Sequence, residues 1–168
     1  MMTSNQPFKK TLELHYHPFL HGKGISEATA QEFGVGYCKQ GTMKGRIVFP
    51  LHTPQGVLVG YIGRSVDPKA KAKWFHLKKF LNPALELFNI HRLTGHHRVC
   101  YLCSNPFQVL MLKQDGTPNA VSMTGPQVSP TQVDLIKEHF QEVFLRVSPA
   151  LQKAVGGALR NAGVRAYL

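Results

Sequence analysis

Between Asp67 and Lys79, five lysines (Lys69, Lys71, Lys73, Lys78 and Lys79) flank Trp74, Phe75 and His76. Ammonium groups can track a run of phosphates while aromatic rings offer faces to unpaired bases, each such stack being worth about 1–3 kcal/mol. This is the chemistry of a groove for single-stranded nucleic acid. The competing reading is a solvated loop whose Trp74 and Phe75 tuck into the core. A second group, His96, His97, Cys100 and Cys103, places four possible zinc ligands within eight residues. Cys100 and Cys103 fall on a predicted buried strand, where residues three apart point to opposite faces. They converge poorly on one ion and read as core thiols.

A third group is defined by residue types that are missing. Residues 98–168 read as strand, helix, strand, helix, strand, helix, strand, an order in which metal-dependent phosphoryl chemistry places carboxylates just after strand ends. Ser104, Gln108, Arg146 and Ser148 stand at those positions. Asp115, Asp134, Glu138 and Glu142 are the only carboxylates after residue 95, and three of them are predicted on helices or at a strand start. No Ser/His/Asp or Cys/His nucleophilic arrangement can be assembled from the sequence.

The elements that must position these groups come from 168 residues with a formal net charge of +11. The charge is uneven: residues 1–95 hold 13 basic and 5 acidic residues, residues 96–168 hold 7 and 4. A basic half of this size favours polyanions, and nucleic acid over a membrane surface because no basic amphipathic helix is evident; solubilising charge is the bland alternative. No apolar run approaches the roughly 20 residues of a membrane span, and Met1 to Pro7 is too polar for a signal peptide. With three cysteines rather than an even set, the expectation is a reducing, cytoplasmic setting without disulfides.

Met1 to Lys10 reads as a loose arm. Ser26 is a predicted N-cap for a short helix through Phe33 that ends at Gly34. Gly45–Leu51 and Val57–Arg64 are β-rich runs separated by a hairpin turn at Thr53–Gly56, with Pro50 near the end of the first run. Leu85 to Arg92 suggests a short helix. Val99–Cys103 is predicted as a buried strand, and Pro106–Lys113 as a helix with Phe107, Leu110 and Met111 inward. The next strand is Ala120–Met123, and Ser129-Pro130-Thr131-Gln132 is a strong helix start. That helix turns Val133, Ile136 and Phe140 inward. A strand over Val143–Val147, a helix over Pro149–Asn161 and a last strand over Val164–Leu168 follow. Such alternation implies a mainly parallel sheet with helices on both faces.

The words His17-Pro18-Phe19-Leu20 with Lys23-Gly24-Ile25-Ser26, Phe33-Gly34-Val35-Gly36-Tyr37, Gly45-Arg46-Ile47-Val48-Phe49-Pro50-Leu51, Val59-Gly60-Tyr61-Ile62-Gly63-Arg64, Lys73-Trp74 and Leu85-Glu86-Leu87-Phe88-Asn89-Ile90-His91-Arg92 occur in this order. Together they resemble the core of bacterial-type DNA primases, a basic N-terminal subdomain followed by a TOPRIM domain, and in particular the primase-like TOPRIM proteins of plasmids and mobile elements. In that family a glutamate, an aspartate one helical turn later and an Asp-x-Asp pair hold divalent metal. The resemblance puts Ser104, Gln108, Arg146 and Ser148 at those places. Arg146 sets a fixed cation where the metal would sit. The chain also has Pro83-Ala84 where the family has a Lys-Ser pair. The family's phosphate-contacting positions carry over to Arg46, Arg64 and Lys73, which the resemblance places along one groove, and Gly125 matches a turn glycine.

The expectation is therefore an α/β protein: a TOPRIM-like, mainly parallel sheet flanked by helices over 96–168, preceded by a smaller basic α+β subdomain over 1–95. Its expected function is that of a catalytically degenerate primase-like protein that binds single-stranded DNA or primer–template through Arg46, Arg64, Lys73, Trp74, Lys78 and Lys79. It would need no cofactor and would serve the replication of a mobile element, with a helicase among its candidate partners. Two alternatives stand beside it. One is an active enzyme using Mg²⁺ held by relocated or partner-supplied acids. The other is a protein-interaction module without nucleic-acid binding.

Overall fold

The computed structural model describes residues 4–168. The chain first builds a five-stranded antiparallel sheet from β1 (Leu14–His15), β2 (Gly36–Cys38), β3 (Arg46–His52), β4 (Leu58–Ser65) and β5 (Trp74–His76), in that spatial order. Helices α1 (Pro18–Gly22) and α2 (Glu27–Phe33) lie between β1 and β2. The Ser26 hydroxyl accepts from the Thr29 N–H at 3.2 Å, and Gly34 closes α2 in the left-handed region at φ 68°, as both residue types favour. Pro50 is tolerated inside β3 because pairing with β2 stops at Val48, leaving no ladder partner on that side. The basic run after Asp67, for which the sequence predicts no strand, contributes β5.

Alternation along β3 and β4 divides two apolar faces. Ile47, Phe49, Leu51 and Ile62 join the larger core, whereas Val48 packs with Cys38 and Met43, flanked by Tyr61 and Phe75. The arm expected to be loose is largely exposed but is anchored at Asn5 and Phe8. Asn5 is buried, and its side chain clasps Asn82 through two hydrogen bonds of 2.8 and 2.9 Å. The Phe8 N–H donates to the Leu58 carbonyl at 2.8 Å. Met1 to Thr3 lie outside the described residues.

The short helix expected over Leu85–Arg92 is replaced by two 3₁₀ turns, Pro83–Leu85 and Ile90–Arg92, with extended backbone between them. Asn89 at φ 76° breaks any helical continuation. Phe88 and Ser122 form an antiparallel bridge with two 3.2 Å backbone hydrogen bonds. Extended geometry sends Leu87 into the core of the second sheet and Phe88 into the core shared with the first; a helix could not split adjacent residues in this way.

The second sheet is parallel, formed by β6 (Val99–Cys103), β7 (Ala120–Ser122), β8 (Glu142–Arg146) and β9 (Arg165–Tyr167) in the spatial order β7-β6-β8-β9. The crossovers are α3 (Pro106–Gln114), α4 (Pro130–His139) and α5 (Pro149–Asn161). Ser129 and Gln132 form the expected capping box of α4. Val133 and Ile136 of α4 and Val155 and Leu159 of α5 cover one face, while Phe107 and Leu110 of α3 belong to the core on the other. Met111, expected inward, is 40% exposed, because the inner arc of this short helix is already filled by Phe107, Val109 and Leu110. The chain is thus an α/β protein with a parallel sheet flanked by helices. Among the described residues, no helix is long and apolar enough to cross a membrane.

Candidate nucleic-acid interface

The carboxyl ends of β6 and β7 face the β4–β5 edge of the antiparallel sheet across a cleft of about 450 Å³. Lys73 and Trp74 form one wall, and Ser104, Asn105, Thr124 and Gly125 line the opposite side. Trp74 is 38% exposed, yet its indole rests against Phe49 at 5.9 Å and Phe107 at 6.1 Å between ring centroids. It is therefore neither a free loop side chain nor a buried one: two core rings fix it while one side stays open. Lys73 donates from Nζ to the Pro68 carbonyl at 2.8 Å.

Arg64 is the cross-strand partner of Trp74. Its guanidinium donates to the Ser65 carbonyl at 2.8 Å and lies 6.0 Å from the Phe19 ring centroid. Lys23 sits over the same ring at 5.2 Å and over Phe107 at 4.9 Å. Lys23, Arg64 and Lys73 thus border a shared aromatic floor of Phe19, Phe107 and Trp74. Neither Lys23 nor Phe19 was singled out as a binding residue in the sequence; nothing local to Lys23 signals that it would lie over Phe107 of α3.

Arg46 does not join this group. Its side chain stands over Phe75 at 5.2 Å, on the sheet face opposite Trp74, and donates to the carbonyls of Gly63 at 3.3 Å and Lys73 at 3.1 Å. Burial first, then nearby Arg64, lowers its pKa. The single groove expected for Arg46, Arg64 and Lys73 is in this respect split by the alternation of the sheet. Lys78 and Lys79 are exposed in the turn after β5, Lys79 lying 5.6 Å from the Phe80 ring, and neither lines the cleft. Gly125 has open space around its Cβ direction, so no close approach there demands glycine.

Hard divalent cations require clustered oxygen anions, and the strand ends supply none. Ser104 follows β6, and the Gln108 side-chain carbonyl accepts from the backbone N–H groups of Ser104 at 2.9 Å and Asn105 at 3.2 Å. Gln108 is thereby consumed in the capping box of α3. Arg146 ends β8 with its guanidinium 5.1 Å from the Tyr101 ring, and Ser148 precedes α5 as its N-cap residue. These residues do not fit a divalent metal. The four later carboxylates lie elsewhere: Asp115 caps α3, Asp134 and Glu138 are on α4, and Glu142 pairs with Arg165 at 3.7 Å.

Cys100 and Cys103 are buried in different clusters, on opposite faces of β6. Burial raises both thiol pKa values, that of Cys103 to about 12, so neither offers a thiolate at neutral pH. Among the described residues, no group of three or more His, Cys, Asp and Glu converges as a metal site.

No family model matches the chain. It is 31% identical over 107 residues to a DNA primase of Mycoplasma genitalium, covering 62% of this chain and 18% of that protein. It is 26% identical over 137 residues to a DNA primase of Helicobacter pylori, covering 75% and 24%. The chain therefore spans about a fifth of the length of these relatives. In fold it matches the zinc-binding and RNA polymerase domains of the Aquifex aeolicus primase with a TM-score of 0.78 at 18% identity, covering 90% of this chain and 49% of that one. A DnaG primase catalytic domain bound to single-stranded DNA matches with a TM-score of 0.67 at 13% identity, covering 83% and 58%.

Proposed function

We propose that this chain, which has the fold of the bacterial DNA-primase core and is similar to such primases in sequence, is a catalytically degenerate member of that group that binds single-stranded DNA or primer–template. The observation that carries the reading is the cleft at the carboxyl ends of the parallel strands, which presents Lys73 and Trp74 and no carboxylate. Its TOPRIM-like half supplies the strand ends, and its basic half supplies the cations. Arg64, Lys73 and Trp74 act at the cleft with Lys23 beside them. Lys78 and Lys79 extend the positive field, and Arg46 braces β5 from behind. The protein works in the cytoplasm as an accessory in replication of a mobile element, with a helicase among its candidate partners; this part rests on the resemblance alone.

The test is a salt-titrated binding series with single-stranded DNA, duplex DNA and RNA, with and without divalent cation. Preferential binding of a single strand, falling steeply with salt and indifferent to magnesium, is the expected result. A second reading, an active primase or nuclease whose acids come from a partner chain, is favoured by the similarity to proteins named DNA primase. Chelator-sensitive primer synthesis or nicking would establish it and overturn the first. Absence of any oligonucleotide binding would instead leave a protein-interaction module.

A further inference from the structure

We infer that the cleft beside Trp74 receives a nucleobase turned out of its strand, in the place where phosphoryl chemistry would require metal-bound phosphate. The inference rests on the nucleic-acid reading above and adds which part of the ligand enters. Its first support is the character of the walls. Ile62 and Met123, both at most 3% exposed, belong to the lining, and Trp74, Pro106, Pro126 and Leu151 complete an apolar surround in which Lys73 is the one charged residue. A phosphate drawn into such a space would lose its hydration against a single ammonium group, whereas a flat, neutral base would be desolvated at a much lower cost.

The second support is rigidity. Because Phe49 and Phe107 already hold the indole, stacking on its open side orders no additional protein group, so little of the stacking energy is lost to entropy. The third is the distribution of polar groups. Thr124 is spent, its hydroxyl donating to the Pro83 carbonyl at 2.7 Å and accepting from Gln132 at 2.8 Å, and the Ser104 and Asn105 N–H groups are spent on Gln108. What remains is the Ser104 hydroxyl and the Asn105 side-chain NH₂, suited to the edge of a base, with Lys73 at hand for the adjoining phosphate. The volume, about 450 Å³, falls within the range of roughly 300–1,000 Å³ seen for small-ligand pockets.

Trp74 is the only tryptophan, so its fluorescence reports occupancy directly. The wild-type chain is titrated with an oligonucleotide of about twelve thymidines and with an abasic strand of equal length, a span typical of single-strand sites. The thymidine strand should quench Trp74 and bind roughly tenfold more tightly, the free energy of about one stacked base. Leu151→Phe, which narrows the cleft from α5, should bring the thymidine strand close to the abasic affinity while leaving abasic binding unchanged. If circular dichroism shows that this variant does not fold, Gly125→Val, whose added Cβ meets no neighbour within 4 Å, narrows the same space from the other wall and carries the same expectation. A mononucleotide arm separates sources: quenching by the mononucleotide assigns the pocket to free nucleotides, and quenching only by the strand assigns it to an extruded base. Equal binding and quenching by the abasic strand, or no effect of the narrowing variant, would overturn the base pocket while leaving strand binding standing. If neither strand binds, both readings fall.

Discussion

Trp74 and Phe107 meet at 6.1 Å across the seam between the two sheets, one ring from the last antiparallel strand and the other from the first turn of α3. Through this contact the packing of the seam sets the position of the one exposed indole. A base stacked on Trp74, as proposed, would rest on a ring that the core already holds, so substitutions of the two rings themselves should affect both binding and folding.

Replacing Lys73 and Trp74 together by alanine should weaken single-strand binding by about 2–3 kcal/mol, combining one stacked base with one phosphate contact. The dependence of log affinity on log salt should flatten by about one phosphate equivalent. Filter binding or fluorescence anisotropy across a salt series measures both.

Lys23→Ala and Arg46→Ala should act in opposite ways. Lys23 is exposed above Phe19 and Phe107, so its loss should reduce affinity and salt slope without changing the unfolding midpoint. Arg46 donates to two backbone carbonyls behind β5, so its loss should lower stability by about 1–3 kcal/mol. Urea denaturation paired with a binding isotherm separates the two.

Addition of a chelator should leave single-strand affinity unchanged, and magnesium titrated into the free chain should give no saturable heat. Both follow from Gln108 being committed to the α3 cap and from Arg146 standing at the end of β8. Saturable binding in calorimetry would contradict the donor set described.

Stability should respond to pH most strongly through two groups of opposite sign, buried Glu86 and half-buried His91. His52 and His76, whose pKa values burial also lowers, add to the His91 trend. Burial pushes the Glu86 carboxyl up to about 7 from an ordinary 4.5. The unfolded chain therefore gives up this proton first as pH rises, and the stability present below about 4.5 is lost by about 7. Burial, followed by nearby His52 and Arg92, holds His91 at about 4 against an ordinary 6.5. The unfolded chain takes up that proton first as pH falls, so stability present above about 6.5 is lost toward 4. Glu86→Gln should steepen the rise of stability with pH across this window, and His91→Gln should flatten or reverse it relative to the parent chain; urea midpoints at several pH values decide it.

Phe88→Ala should cost about 3–5 kcal/mol, as for large aromatic truncations in a core. Phe88 is 1% exposed, lies edge-on to Phe49 at 5.7 Å and stacked on Phe33 at 6.2 Å, and its backbone pairs with Ser122. Because it joins both sheets, the loss should lower a single cooperative transition rather than release one half before the other.

Local signals were sufficient for much of the fold. Ser26 with Gly34, and Ser129 with Gln132, set helix ends that the structure keeps, because caps are decided by backbone groups within a few residues. The alternation of strand and helix after Arg98 gave the parallel sheet for the same reason, since each crossover is a contiguous stretch of chain. The segment Leu85–Arg92 was misread because its apolar spacing suits a helix, while its true pattern is set by two cores that claim Leu87 and Phe88 separately. That Ser104, Gln108, Arg146 and Ser148 carry no carboxylate is read directly from the sequence, because identity alone decides whether a side chain can ligate a hard cation.

Residue identity also supplied the cations and the aromatic residues, but not their grouping. That Lys23 joins Arg64 and Lys73, and that Arg46 faces away, depends on which side of a strand each residue occupies and on how α1 and α3 pack across the seam. Those are long-range contacts between elements far apart in the chain, and only the assembled tertiary structure fixes them.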